Sequence, residues 1–438
     1  MELLNNILFW VTMVFIIMTL IVFSFQILFG FLFWLKPKKY KKATQFHKFA
    51  VIIRAHNEED VIADSVDSAM RCDYPEDKKQ VIVFAHNCTD KTAEIAKEHG
   101  ARVVIIHDED PKHKKLSYCM KLGMEQLKAD PEGTYEYFLT LDADNQIDKN
   151  YIRACNDAVE SGVVLGRTFE NSKNLTDSVI SCMNGLWYIR DNVFACRSRS
   201  ALNIGCVMTG PSGLIKAEYA LNWDALTASE DIEFTLKRLN KDGLKVDFIN
   251  EAMVYEDMPA TMTDMFNRNS RMGNGLFRLY FKEGIATLKM FFKTLFKRNV
   301  PFSLKMTYLD QYFNIALVPF SAICMTWIPL YFIYILIYTG LGNVVVLSGL
   351  NAVLDFNWFV IFVVVACCAC YFIPFFFQPM FSYFIERKRM NVQRKWVVWV
   401  TILLYPCYIL FDAFFIFAGF LMKPRWKKIK RSQTKIEQ

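Results

Sequence analysis

The sequence predicts an α/β domain with a mostly parallel sheet, held between an N-terminal transmembrane helix and a C-terminal transmembrane bundle. Of the 438 residues, 53% are hydrophobic and 22% are charged. This composition is too apolar for one large soluble domain and too charged for a membrane bundle alone. The charge-free stretches lie towards the two ends of the chain, and β-branched runs alternate with amphipathic segments between them.

The first charge-free stretch runs from Ile7 to Leu35 and exceeds the roughly 20 residues that a helix needs to cross a bilayer. A secretory signal would place basic residues before a shorter apolar core, so we expect an uncleaved anchor over residues 1–36. Positively charged flanks stay on the cytoplasmic side, which predicts a plasma-membrane protein with a cytoplasmic domain. The basic residues that follow the anchor are Lys36, Lys38, Lys39, Lys41 and Lys42.

Three further charge-free stretches predict a bundle of three or four segments over residues 309–422, followed by a basic tail over 423–438. The stretches are 311–354, 356–385 and 396–422, the last interrupted by Asp412. Basic clusters follow the stretches 356–385 and 396–422. A single membrane crossing between these clusters would place them on opposite sides of the membrane, although both are expected on the cytoplasmic side. We therefore infer that one segment is re-entrant or interfacial, with Pro374 and Pro406 as candidate breaks.

The formal net charge of +7 is modest, and the basic residues cluster beside apolar stretches. This placement favours anionic lipid headgroups as partners, and no basic-aromatic motif indicates nucleic acid. The twelve cysteines form no matching Cys-x-x-Cys pairs, and Cys367, Cys368 and Cys370 lie in an apolar run. We expect reduced, packed thiols instead of disulfides or a metal cluster.

The segment over residues 37–260 alternates strand and helix patterns, and an amphipathic, interfacial segment is expected over 261–308. Strands are predicted at 49–54, 80–84, 101–106 and 137–141, and helices at 59–70, 89–100 and 114–128. Strands that alternate with helices predict a mostly parallel sheet whose ligands bind at the carboxyl ends of the strands.

Asp142-Ala143-Asp144 directly follows the fourth predicted strand. Residues i and i+2 of an extended segment point the same way, so both carboxylates can converge on one cation. Mg²⁺ is typically held by one or two carboxylates, with diphosphate oxygens at its other positions. Because the triplet stands at the end of a buried strand, a metal site is favoured over a solvated turn.

A second acidic cluster, Ser229-Glu230-Asp231, opens an amphipathic stretch. One interpretation is structural, since Ser229 is a suitable N-cap and two acids suit the start of a helix. The other is catalytic, since a carboxylate at this place can deprotonate an acceptor hydroxyl. The residues alone leave both interpretations open.

In their order, these features resemble the family-2 glycosyltransferases, in the membrane-integrated branch with cellulose, hyaluronan, chitin and poly-N-acetylglucosamine synthases. The resemblance covers about residues 48–276, and the flanking apolar stretches fit the same layout. The segments that carry it are the two nucleotide loops (51–59 and 87–93), Asp142-Ala143-Asp144, Thr209-Gly210-Pro211-Ser212-Gly213, residues 227–231, Arg268-Asn269-Ser270-Arg271-Met272 and the basic tail.

The resemblance implies a GT-A fold, a nucleotide-sugar donor with UDP as the expected nucleotide, Mg²⁺ or Mn²⁺ as cofactor, and one displacement that inverts the anomeric centre. It implies Asp231 as the catalytic base and Asp142 and Asp144 as metal ligands. Arg271 would support the phosphates or the acceptor-site helix, and Lys115 either approaches the donor or lies on a solvated lysine-rich surface. Expected donor-binding residues are Ala55, His56, Asn57, Glu58, His86, Asn87, Lys115, Asp142 and Arg271; expected acceptor-site residues are Gly210, Ser212, Gly213, Glu230, Arg268 and Met272.

Two departures from the family pattern bear on function. His86 stands where the family usually has an aspartate that contacts uracil, which weakens the prediction of a UDP-sugar. Arg268 and Met272 stand in place of the Gln and Trp of the Gln-x-x-Arg-Trp motif, and that Trp supports the acceptor sugar in processive synthases.

Three functional hypotheses remain open at this point. The first is a processive synthase that elongates a β-linked polysaccharide from a growing glycan and passes it through its own bundle. The second is a transferase that adds a single sugar to a lipid-linked acceptor, which the altered 268–272 segment favours. The third is a transporter or scaffold, which the lack of internal repeats and the single intramembrane charge, Asp412, disfavour.

Overall fold

The computed structural model describes residues 2–32, 34–110, 116–130, 134–210, 212–341, 345–347, 352–354, 373–422 and 436. Lys115, Pro211, the cysteines at 367, 368 and 370 and almost all of the basic tail lie outside the described residues. The strands are β1 (Phe49–Ala55), β2 (Lys79–His86), β3 (Arg102–Ile106), β4 (Tyr137–Asp142), β5 (Gln146–Ile147), β6 (Leu165–Ser172), β7 (Gly213–Lys216), β8 (Val246–Glu256) and a separate hairpin, β9 (Val345–Leu347) and β10 (Ala352–Leu354).

The helices are α1 (Glu2–Phe31), α2 (Ile62–Met70), α3 (Thr92–Glu98), α4 (Leu116–Lys128), α5 (Tyr151–Glu160), α6 (Val179–Arg190), α7 (Arg197–Ala201), α8 (Ala217–Ala220), α9 (Glu230–Asp242), α10 (Met262–Leu279), α11 (Ile285–Leu295), α12 (Phe302–Gln311), α13 (Val318–Gly340), α14 (Ile373–Glu386) and α15 (Lys395–Leu421). Short π-helical segments connect α6 to α7, α10 to α11, and α12 to the residue before α13.

The main sheet has the order β3-β2-β1-β4-β7-β6-β8-β5. Its first half, from β3 to β4, is parallel throughout, as the alternation of strands and helices predicts. In the other half β6 and β8 also pair in parallel, but the prediction of a mostly parallel sheet is wrong for β7, which runs antiparallel to β4 and β6, and for β5, which runs antiparallel to β8. The sheet is therefore mixed, because β7 enters from a long excursion of the chain instead of a βαβ unit.

Both faces of the sheet are buried. Alternate residues of β1 point to opposite faces, so that Val51 and Ile53 belong to one apolar core and Ala50 and Ile52 to the other. Each face is covered by helices, which explains why β1 is almost uniformly apolar. Arg54 is the exception in this strand, and it is also buried.

Two described helices are long and apolar enough to cross a membrane, over Val318–Tyr338 in α13 and Lys395–Leu421 in α15. The first helix contains a shorter apolar part, Leu3–Thr19. Pro406 lies inside α15, which remains helical around it, and Pro374 lies in the first turn of α14. Whether any of these segments spans a membrane or re-enters it stays a prediction.

A close helix crossing ties the α/β domain to α15. A Cβ on Gly273 of α10 would lie 2.2 Å from the carbonyl oxygen of Ile416, and one on Gly419 would lie 2.0 Å from that of Ser270. Beside this contact, the amide of Asn269 donates a 2.6 Å hydrogen bond to Asp412. Glycines at both positions allow the two backbones to touch, so α10 is fixed against α15.

Candidate active site

A cavity of about 620 Å³ begins at the carboxyl end of β4 and continues between the helices that follow the domain. At its sheet end it is lined by Asp142, Asp231 and Arg271. Its other end is lined by residues of α13 and α15, among them Val318 and Asp412. The predicted catalytic centre and the apolar helices therefore share one continuous space.

Asp142 is the last residue of β4 and faces Arg54, its register partner on β1. The guanidinium of Arg54 donates to Asp142 Oδ1 at 2.6 Å and to Glu230 Oε1 at 2.8 Å. Burial acts to lower the pKa of Arg54, but the charges of Asp142 and Glu230 outweigh it and raise this pKa. Arg54 thus joins the end of β4 to the start of α9 as a permanent buried cation.

Asp144 is buried two residues beyond Asp142. Among the residues that the structure describes, no group of three or more His, Cys, Asp or Glu side chains is placed to hold a metal ion. Two carboxylates alone suit a hard cation that takes its remaining ligands from a bound diphosphate, as Mg²⁺ commonly does. The donor set is compatible with Mg²⁺ or Mn²⁺ on these terms, and Asp142 and Asp144 remain predicted ligands.

Asp231 lies in the first turn of α9 and lines the cavity. Its carboxylate accepts hydrogen bonds from the backbone N–H of Gly210 and, at 2.8 Å, from that of Ile232. Burial, followed by the negative charge of Glu230, raises the pKa of Asp231 to about 7 although these N–H groups and Arg54 act to lower it. A carboxylate with this pKa is suited to general-base catalysis near neutral pH.

Ser229 precedes α9 at the predicted N-cap position, and Glu230 and Asp231 lie in the first turn as expected. Ser229 occupies the N-cap position, but its side chain makes no cap hydrogen bond and its hydroxyl donates to the carbonyl of Met272 at 3.4 Å. The preceding loop is held by Glu233 instead, which accepts the N–H groups of Leu226 and Thr227 at 2.8 and 2.7 Å. Burial acts to raise the pKa of Glu233, but hydrogen bonds from Lys282, Thr227 and Lys237 lower it to about 2.

The loop before β7 is anchored by Glu170, a fully buried residue of β6. Glu170 Oε1 accepts the hydroxyls of Thr209 and Ser212 at 2.6 and 2.5 Å, and Oε2 accepts from Arg167 at 2.8 Å. Gly210 adopts a φ of 54° in this loop, a conformation that favours glycine. The tether therefore holds the N–H of Gly210 against the carboxylate of Asp231.

The predicted acceptor residues of this loop do not all reach the cavity. Gly210 lines it, whereas Ser212 is directed to Glu170 and Gly213 begins β7, where its N–H donates to Thr140 Oγ1 at 3.2 Å. Glu230, Arg268 and Met272 line the cavity as well.

The predicted nucleotide-binding residues meet at the carboxyl ends of β1 and β2. His56 Nδ1 lies 2.7 Å from the carbonyl oxygen of His86, and Asn57 Oδ1 accepts the N–H of Thr89 at 2.8 Å. Asn57 and Asn87 have φ values of 56° and 50°, in the left-handed region that asparagine tolerates well. Ala55, His56, Asn57, Glu58, His86 and Asn87 form one cluster beside the described cavity and do not line it.

Arg268 and Arg271 both project from α10 into the cavity but differ in their partners. Arg268 contacts the hydroxyl of Tyr188 and lies 3.9 Å from Glu256. Arg271 has no hydrogen bond or ion pair with any described residue, although it lies near Glu230. Burial lowers the pKa of Arg271, and its free guanidinium is available to an anionic ligand.

Sequence reasoning missed Arg54, Glu170 and Glu256 as site residues. The signal for Arg54 was available, since a cation inside an apolar strand that is buried on both faces needs a partner. Glu170 and Glu256 gave no comparable signal because the strands that carry them, β6 and β8, have mixed polarity.

Comparisons with known proteins relate the chain to glycosyltransferases. A family model described as "Glycosyltransferase like family 2" matches residues 47–275. The probable glycosyltransferase YdaM of Bacillus subtilis is 23% identical over 409 residues, which is 85% of either chain. The poly-β-1,6-N-acetyl-D-glucosamine synthase of Staphylococcus epidermidis is 23% identical over 277 residues, covering 59% of this chain and 63% of the relative.

Among solved structures, the mannosyltransferase PcManGT from Pyrobaculum calidifontis, in complex with GDP-Man and Mn²⁺, is similar with a TM-score of 0.53. The superposition covers 92% of this chain and 97% of the other at 14% sequence identity. At this identity the likeness concerns the fold, and it agrees with the predicted GT-A-like architecture.

Proposed function

Because the chain belongs to the glycosyltransferase-like family 2, we propose that it uses its nucleotide-sugar to build a β-linked cell-surface polysaccharide with inversion of the anomeric centre. The predicted family and enzyme class are confirmed, and the transporter or scaffold hypothesis is set aside. The observation that carries the proposal is the continuous cavity from Asp142, past Asp231, to α13 and α15.

In this proposal Asp231 removes the proton from the acceptor hydroxyl as that oxygen attacks the anomeric carbon. The raised pKa of Asp231 suits this step, because the carboxylate must accept a proton at neutral pH and release it afterwards. Gly210 and Ile232 fix the orientation of the carboxylate through their N–H groups. One base and one displacement give inversion, so an α-linked donor yields a β-linkage.

Asp142 and Asp144 are the residues that would hold Mg²⁺ or Mn²⁺, which when bound neutralises the charge of the departing diphosphate. Arg271, with its free guanidinium, is placed to contact the same diphosphate from α10. Arg54 orients both Asp142 and Glu230 through its two hydrogen bonds. With these roles, substitution of Asp144 or Arg271 should impair use of the donor. Substitution of Asp231 should impair the transfer step itself.

The central test measures nucleotide release and product formation with UDP-GlcNAc and GDP-mannose, each with Mg²⁺, with Mn²⁺ or with a chelator. We expect Asp231→Asn to lower kcat about 100- to 10,000-fold, while binding of the nucleotide-sugar persists. Asp144→Asn should abolish the response to metal. Full turnover by either variant would contradict the assigned roles.

The same set of nucleotide-sugars shows which nucleotide the donor carries. One relative is named for N-acetylglucosamine polymer synthesis, and one similar structure contains GDP-Man. The predicted base contact is His86, which lies at the end of β2 beside Asn87. A His86→Asp variant that gains preference for the uridine donor would support the assignment of this residue to the base pocket.

Elongation and single addition differ in product length. The polar and aromatic lining beyond Asp231, which includes Asn184, Trp187 and Tyr408, supports a path for a glycan, and this favours polymer synthesis. The alternative, transfer of one sugar to a lipid-linked acceptor, is favoured by Met272 at a position where it offers no aromatic face. Ladders or high polymer would support the first, and one discrete glycolipid the second.

The placement in the membrane is part of the proposal. We expect α1, α13 and α15 to span the plasma membrane, with the α/β domain on the cytoplasmic side and α10 and α11 at the interface. Single cysteines introduced on exposed α/β loops of a cysteine-depleted chain should react with an impermeant maleimide only after the cells are opened. Labelling of intact cells would refute this orientation.

A further inference from the structure

Glu256 is a buried acid that the mechanism above does not use. It is the last residue of β8, and its backbone is fixed by pairing with Ser172 on β6 and by the N–H of Lys173, which donates to its carbonyl at 3.0 Å. Its side chain is 9% exposed. The position of the carboxylate is therefore set by the sheet and not by a mobile loop.

The two oxygens of this carboxylate have different surroundings. Oε2 lies 3.9 Å from Nη2 of Arg268, a long ion-pair distance. Oε1 is buried and has no hydrogen-bond partner among the described residues. A buried oxygen left without a partner is costly in free energy, so such an atom in a cavity wall indicates that a ligand supplies the missing hydrogen bond.

The carboxyl group of Glu256 lies near the proposed metal motif, and its neighbour Gly210 contacts the proposed base. Glu256 lines the same cavity as Asp142 and Asp231. An added Cβ on Gly210 would lie 3.7 Å from Oε1, so this oxygen adjoins the glycine whose N–H donates to Asp231.

We propose that Glu256 binds a hydroxyl group of a sugar ring in the active site and thereby selects which sugar is used. This inference rests on the proposed sugar transfer, since a pyranose between Asp142 and Asp231 is the group that presents hydroxyls to this wall. The sugar is either that of the donor or the terminal residue of the acceptor. Either sugar would present a hydroxyl group to Oε1, and binding and turnover measurements distinguish the two.

Binding is measured first, in an Asp231→Asn background that removes turnover. Calorimetry with UDP-GlcNAc, GDP-mannose and the matching free nucleotides compares Glu256→Ala and Glu256→Gln with the background. If the donor sugar is the partner, Glu256→Ala weakens binding of the nucleotide-sugar about 2- to 10-fold, the range for one hydrogen bond between neutral groups. Binding of the free nucleotide is then unchanged, and Glu256→Gln, which keeps a hydrogen-bonding group, loses less.

Turnover is measured next, with Asp231 restored. If the acceptor is the partner, Glu256→Ala leaves donor binding and donor hydrolysis intact but raises the KM for the acceptor by a similar factor. In either case, a monodeoxy sugar that lacks the contacted hydroxyl should be used equally well by wild type and Glu256→Ala. Glu251→Ala, an exposed acid on the same strand, is the matched control and should behave as wild type.

The proposal is overturned if Glu256→Ala changes neither sugar-nucleotide binding nor acceptor KM, or if it weakens the free nucleotide and nucleotide-sugar equally. The second result would assign Glu256 to the shape of the nucleotide site. Because the calorimetric comparison needs no turnover, a failure of the proposed transfer reaction appears as inactivity of wild type and is distinct from either outcome.

Discussion

The pKa of Asp231 gives a prediction with a definite sign. With a pKa of about 7, about one-tenth of the carboxylate is ionised at pH 6 and about nine-tenths at pH 8. If Asp231 is the base, kcat/KM therefore rises about tenfold across this interval. The charge of Glu230 is the second largest cause of the raised pKa, after burial.

Glu230→Gln removes that charge and also frees one arm of Arg54, which lies 2.8 Å from Glu230 Oε1 in the wild type. Both changes favour the ionised form of Asp231, so its pKa falls and the acid limb of kcat/KM moves to lower pH. Two like charges a few ångströms apart at a partly shielded site interact by about 1–3 kcal/mol. This corresponds to a shift of about 0.7 to 2 pH units.

The assay is initial nucleotide release at low substrate concentration between about pH 5.5 and 9. Glu218→Gln, a change at an exposed glutamate of α8, should leave the profile in place. An acid limb that stays where it is in Glu230→Gln, or that moves to higher pH, would refute the coupling of the two acids. A profile that persists in Asp231→Asn would refute Asp231 as the base.

Three further predictions concern packing and the donor. Gly273→Ala should destabilise the protein by at least about 1–3 kcal/mol, because its Cβ meets the backbone of α15; thermal unfolding in detergent measures this, and Gly340→Ala, with open space around it, should have no comparable effect. Asp310 forms a buried bidentate ion pair with Arg199. Asp310→Asn breaks this pair and should lower the free energy of unfolding, measured with denaturant, by about 3–5 kcal/mol. A decrease of less than about 1 kcal/mol would contradict the assigned burial. Arg271→Ala should raise the donor KM about tenfold or more with little change in stability, whereas Arg278→Ala, exposed on the same helix, should leave the KM unchanged.

Much of the parallel half of the domain followed from the sequence. Strands β1 to β4 lie within two residues of their predicted bounds, because short β-branched runs between amphipathic segments have a strong periodic signal. The place of Asp142 at a strand end and of Asp231 at the start of a helix followed from the same patterns. The resemblance to family 2 was carried by these motifs, and the family match confirms it.

What only the tertiary structure decided concerns contacts between segments far apart in the chain. The antiparallel insertion of β7, the tether of the Thr209–Gly213 loop by Glu170, and the burial that raises the pKa of Asp231 all depend on residues separated by tens of positions. Local periodicity reports which face of an element is apolar, and it contains no information on which polar group from another element meets it. The free oxygen of Glu256 is the clearest case, because an acid in the sequence looks the same whether it is solvated, paired or left open to a ligand.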